Sequence, residues 1–116
     1  MIFISKYLVP KGYLGVTCYP FVFLKTKELK LDSVLINHEN IHLRQQIEIL
    51  VIPFYFIYGV EFVIRLIQYK NWRAAYRNIS FEREAYAHET QLDYLKQRKF
   101  WSFLKYLRPN EFQLKT

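Results

Sequence analysis

The sequence predicts an α+β domain, mainly helical, with a short β-hairpin or sheet at its N-terminus. Three observations predict it. The first 31 residues read as extended and hold YPFVFLK (Tyr19–Lys25), a run of aromatic and β-branched residues suited to a strand. From Asp32 onward, polar capping residues precede long apolar stretches with helical character. Finally, 116 residues that are 52% hydrophobic suit one packed domain, expected over residues 1–116.

The elements follow in order. Pro20 places YPFVFLK at a strand start or a sheet edge, because proline donates no ladder hydrogen bond. FISKYLV (Phe3–Val9) is its expected partner, and TKELK (Thr26–Lys30) reads as a polar turn. A first helix should start at Asp32 or Ser33 and run to about Val51, where Pro53 kinks or ends it. A second covers Phe54 to Tyr69. Asn71 caps the short helix WRAAYR, and Ser80 caps a longer one from Phe81 to about Lys99. Glu82 then falls in a first turn, where a negative charge is favoured. A basic amphipathic segment, Phe100–Leu107, closes the fold before Pro109.

Composition narrows the function. The net charge is +7, yet there is no Cys/His finger, phosphate-binding glycine loop or RNA-binding aromatic signature, so no nucleic-acid partner is expected. The single cysteine, Cys18, excludes an internal disulfide and reads as a small buried apolar residue. MIFISKYLVPKGYLG lacks the pattern of a secretory signal, and a cytoplasmic location is expected. ILVIPFYFIYGV (Ile49–Val60) holds only twelve residues between Glu48 and Glu61, short of the roughly 20 apolar residues of a bilayer span. A buried core helix is the expectation, with peripheral membrane contact as the alternative that the aromatic and basic content keeps open.

The chemistry centres on His38-Glu39-Asn40-Ile41-His42, an HExxH. Residues four apart on a helix project from nearly the same side, so both imidazoles can reach one tetrahedral Zn²⁺. Glu39 lies about 100° round from His38, where it can take a proton from a metal-activated water without being a ligand. Random placement of three His and eight Glu would give this spacing in about one such chain in 200. A metal-free histidine pair is therefore the competing reading. His38, His42 and Gln45 share a helix face with Leu35 and Ile49, which would half-line the site with apolar groups.

A catalytic zinc usually takes three protein ligands. The HExxHxxGxxH class does not fit, because Gln45 and Glu48 stand where the glycine and third histidine belong. The stretch NISFEREAYAHE (Asn78–Glu89) instead resembles the ExxAD element of gluzincin peptidases, above all integral-membrane and minimal members, the minigluzincins. The resemblance spans about Leu35 to Glu89 and is strongest at HENIH. It implies a small zincin-like fold, Glu82 as the third zinc ligand, Glu39 as catalytic base, and hydrolysis of peptide bonds in a peptide or protein substrate. The family's Asp is replaced by Tyr86, so Tyr86, or Glu89 on the same face, is expected to support a ligand histidine. Glu84 competes for the ligand role. It lies about 200° from Glu82, so only one of the two can face the metal; otherwise it is an exposed helix charge. Tyr76 or another tyrosine is a candidate oxyanion donor, and the strand around Phe21–Leu24 a candidate substrate edge. The alternative to a zinc metallopeptidase is a non-catalytic zinc-binding or membrane-associated interaction module.

Overall fold

The computed structural model describes residues 1–107; residues 108–116 of the expected domain lie outside the described residues. The architecture is α+β. A three-stranded sheet of β1 (Ile2–Ile4), β2 (Gly15–Cys18) and β3 (Phe21–Leu24) precedes five α-helices: α1 (Ser33–Ile49), α2 (Val51–Tyr69), α3 (Trp72–Arg77), α4 (Ser80–His88) and α5 (Tyr94–Gln97). The strand order is β1-β3-β2, with β1 parallel and β2 antiparallel to β3. YPFVFLK therefore forms the central strand. Its Pro20 sits in the hairpin turn between β2 and β3, outside the ladder that proline would interrupt. The edge nearest the HExxH helix is β2. Thr17 on this strand turns inward and Cys18 outward, as strand alternation requires, so Cys18 is exposed rather than buried.

Asp32 caps α1, accepting a hydrogen bond from the Leu35 amide at 3.0 Å. The break between α1 and α2 falls at Leu50, which adopts φ 73°, and not at Pro53. Proline is tolerated in the first turn of a helix, where its missing N–H leaves no bond unmade, so Pro53 starts α2 instead of ending α1. Asn71 caps α3 through the Ala74 amide. Ser80 does not cap α4 itself. Glu61, from α2, does so: its carboxylate accepts from the Ser80 amide at 3.1 Å and the Ser80 hydroxyl at 2.6 Å. The helix expected from Phe81 to Lys99 stops at His88, and Ser102–Tyr106 forms a 3-10 turn in place of an amphipathic helix. That turn inserts Phe103 against Phe81, adding it to the core of Phe54, Ile79 and Phe81.

The expectation of a buried helix over Ile49–Val60 is overturned. α2 is a continuous 19-residue helix, long and apolar enough to cross a membrane, and only 17% of its apolar stretch is buried. Its charged residues face inward: Glu61 binds Ser80, and Arg65 donates to Gln68 at 2.9 Å and to the Leu107 carbonyl at 2.6 Å. With partners for both charges, the polar stripe is the packed one and the apolar side is left outside.

Candidate metal centre

His38 and His42 lie one turn apart on α1, and Glu82 occupies the first turn of α4, which packs across it. All three are buried. Glu82 Oε1 stands 3.1 Å from His38 Nε2 and 3.2 Å from His42 Nε2, and the two Nε2 atoms are 3.2 Å apart. One ligand atom from each residue thus lies within 4.8 Å of the others, a group that can hold a metal ion. The fit is strengthened by what each residue does with its remaining polar atom. His38 Nδ1 meets Glu89 Oε2 at 3.2 Å, and His42 Nδ1 meets Gln45 Oε1 at 2.8 Å. The other carboxylate oxygen of Glu82 accepts from the Tyr58 hydroxyl at 2.6 Å.

These partners determine which nitrogens face the centre. The Gln45 amide nitrogen donates to the Phe81 carbonyl and to Glu84 Oε1, so its oxygen must face His42. An acceptor beside each Nδ1 keeps a proton there, so Nε2 is the nitrogen of each ring that can turn a lone pair to a metal; with no metal bound, His38 Nε2 carries a proton toward Glu82 Oε1 instead. Two imidazoles and a carboxylate form a nitrogen and oxygen donor set of the kind that binds first-row divalent metal ions.

The electrostatics are those of a buried, coupled group. Burial alone would lower the His38 imidazole, but hydrogen bonds to Glu82 and Glu89 outweigh it and push its pKa up to about 10. Burial would raise Glu82, but the His42 and His38 imidazoles hold it well below the usual carboxylate range. Glu39 is raised, chiefly by burial, with His42 and His38 opposing. It sits beside the ligand group and accepts a hydrogen bond from the Thr17 hydroxyl at 3.0 Å. Gly15 on β2 packs tightly on β3, where a Cβ would lie 3.1 Å from Leu24 and 3.3 Å from the Phe23 carbonyl oxygen, while the Glu39 carboxyl carbon would be at ordinary contact distance.

A mainly apolar cavity of about 320 Å³ opens over Glu39, His42 and Glu82, with Tyr55, Tyr58 and Tyr76 in its wall. A second, more polar cavity reaches His38, Glu39, Tyr86 and Glu89 from the other side. Glu39 and Tyr76 line both, so the two form a cleft that passes the ligand group.

The two helical segments do bring together His38, His42, Glu39, Glu82 and Glu89. Tyr86 stands differently from its expected role. Its ring packs edge-on against His38 at 4.5 Å, while its hydroxyl pairs with that of Tyr76 at 3.2 Å and touches no ligand. Glu84 points away from the centre and is fully buried, not an exposed helix charge. It is held by Arg98 at 2.5 Å, Tyr94 at 2.6 Å and Gln45, and Arg98 also binds Glu48. Tyr58 and Thr17 were missed by sequence reasoning. Nothing marks Tyr58 among ten tyrosines, and Thr17 reaches Glu39 only through the fold. Gln45 was legible, being one turn from His42 on the same face.

The fold and the site thus define an α+β domain with a candidate His–His–Glu metal centre. No family model, curated protein or solved structure matches the chain.

Proposed function

We propose that the protein is a zinc-dependent metallopeptidase of the gluzincin type, with His38, His42 and Glu82 as metal ligands and Glu39 as general base. One observation carries the reading: the Nε2 atoms of the HExxH histidines converge on Glu82 Oε1, with the Glu39 carboxylate buried beside them in the wall of an open cleft. His38, His42 and Glu82 would hold a zinc ion here, and it would supply Lewis acidity toward a scissile carbonyl and a water. Glu39 takes the proton from the attacking water and delivers it to the leaving amine nitrogen. Thr17 keeps the carboxylate aimed into the cleft. Tyr76, in the wall of both cavities with its hydroxyl 3.2 Å from that of Tyr86, is the candidate donor to a developing oxyanion. The edge strand β2, rather than Phe21–Leu24, is the sheet edge that borders the cleft, and an extended substrate would pair with it ahead of Thr17, whose carbonyl is taken by the Gln46 amide and the Tyr55 hydroxyl.

The test is turnover of a mixed peptide library by zinc-loaded protein, with Glu39→Gln as the control. Hydrolysis by the wild type, lost in Glu39→Gln with zinc content unchanged, is the expected result. Stoichiometric zinc without turnover would instead favour a non-catalytic zinc-binding interaction module, and no zinc uptake would overturn both.

A further inference from the structure

The polarity of α2 is inverted for a helix packed on a water-soluble core. Its buried residues include Glu61 and Arg65, 8% and 7% exposed, whereas Ile52, Phe56 and Ile67 are 83%, 72% and 70% exposed. At 100° per residue, Ile52, Phe56, Val60, Val63, Ile64 and Ile67 fall within an arc of about 120°. Phe54, Tyr58, Glu61 and Arg65 cluster on the far side, about 150° round. The outward arc carries no charge and no hydrogen-bonding side chain over four turns. Single exposed apolar residues need no explanation, but a continuous apolar face of this length does.

We infer that this face of α2 docks on an anionic lipid surface, with the helix lying in the membrane interface. Charge points to lipid over a protein partner. The chain carries +7, and exposed Lys70, which caps the C-terminus of α2, is followed by exposed Trp72 and Arg73 at the start of α3, the basic and amphipathic residue types that settle at phospholipid headgroups. The helix lies on the bilayer and does not cross it, because its inward side is tied to the domain along its length. Tyr58 is bonded to Glu82, Glu61 to Ser80, and Arg65 to the Leu107 carbonyl. A spanning α2 would have to break these bonds or draw the first turn of α4 into hydrocarbon, leaving two charges without partners. The inference stands independently of the peptidase reading.

Flotation of the full-length protein with vesicles tests it. One set contains phosphatidylcholine alone, and the other equal parts phosphatidylcholine and phosphatidylglycerol. The wild type should float with the anionic vesicles and much less with the neutral ones. A Phe56→Asp, Ile67→Asp variant should lose this binding by more than about tenfold, since charge on the interfacial face opposes insertion. Both sites are solvent-exposed, and circular dichroism reports whether the fold is kept. If that variant misfolds, Ile64→Trp in a Trp72→Phe, Trp101→Phe background replaces it. Its fluorescence should shift to the blue and be quenched by brominated lipids. Wild-type protein that stays unbound to anionic vesicles would overturn the inference. So would a dimer that sediments free of vesicles and is dissociated by Ile67→Asp, because the face would then belong to a second copy. Unquenched fluorescence from the Ile64→Trp variant while it is bound to vesicles would overturn it as well.

Discussion

Gln45 and Glu84 are joined by a 2.9 Å hydrogen bond that runs from α1 to α4 beneath the candidate metal centre. The same Gln45 side chain accepts from His42 Nδ1, so the Glu84 carboxylate indirectly orients a ligand histidine. Replacing Gln45 by Leu removes the acceptor and frees the ring. Zinc affinity should fall about 10–100-fold, the usual effect of losing a ligand-supporting partner. Competitive zinc titration measures it, and an unchanged affinity would show that Gln45 does not position His42.

Glu84→Ala acts on stability before it acts on metal. The side chains of Arg98, Glu84 and Glu48 are buried together. Removing one carboxylate leaves the guanidinium under-compensated, a loss on the order of 3–5 kcal/mol. Glu82→Ala should do the reverse, abolishing tight zinc binding with a smaller effect on folding. Urea unfolding of the two metal-free variants, alongside zinc titration, separates them. Loss of metal from a well-folded Glu84→Ala with retention in Glu82→Ala would move the third ligand by two residues.

Two tyrosines near the centre should respond differently to loss of their hydroxyls. Tyr58→Phe removes the 2.6 Å bond to Glu82 and should weaken zinc binding by about tenfold or more. Tyr86→Phe breaks only the pairing with Tyr76 and keeps the ring on His38, so zinc affinity should be nearly unchanged. Titration of both variants checks the order, and a larger effect at Tyr86 would reverse the assignment.

Thr17→Val removes the hydroxyl that holds Glu39 while keeping shape and volume. For a peptidase, kcat should drop about tenfold with zinc content constant. That is well short of the roughly 10²–10⁴-fold loss expected for Glu39→Gln, which removes the base itself. Equal kcat in Thr17→Val and wild type would mean that Glu39 needs no positioning from β2.

Glu61→Ala strips the cap from α4 and leaves the buried Ser80 amide and hydroxyl without their acceptor. Unfolding free energy should fall by about 1–3 kcal/mol or more, since the Arg65 beside it also loses a neighbouring charge. Because Glu82 lies in the turn that Glu61 caps, zinc affinity should fall with it. Thermal unfolding with and without zinc measures both effects.

Local information determined much of this protein. The HExxH on a helix follows from its period, because four residues return a side chain to the same face whatever surrounds it. The caps at Asp32 and Asn71 are contacts across three residues, and both form. The opposition of Glu82 and Glu84 is likewise a matter of 100° per residue. Tertiary structure decided what depends on partners distant in the chain. Tyr58 reaches Glu82 across 24 residues, and Thr17 reaches Glu39 across 22, with no periodicity linking either pair. The orientation of α2 was the largest such decision. An apolar run is expected to turn inward because burial of hydrocarbon usually dominates. Here Glu61 found a buried hydrogen-bonding partner in Ser80 on α4, and Arg65 one in the Leu107 carbonyl near the end of the described chain. Two charges inside a fold cost more without partners than several apolar side chains cost outside it, so those partners chose which side of the helix faced in.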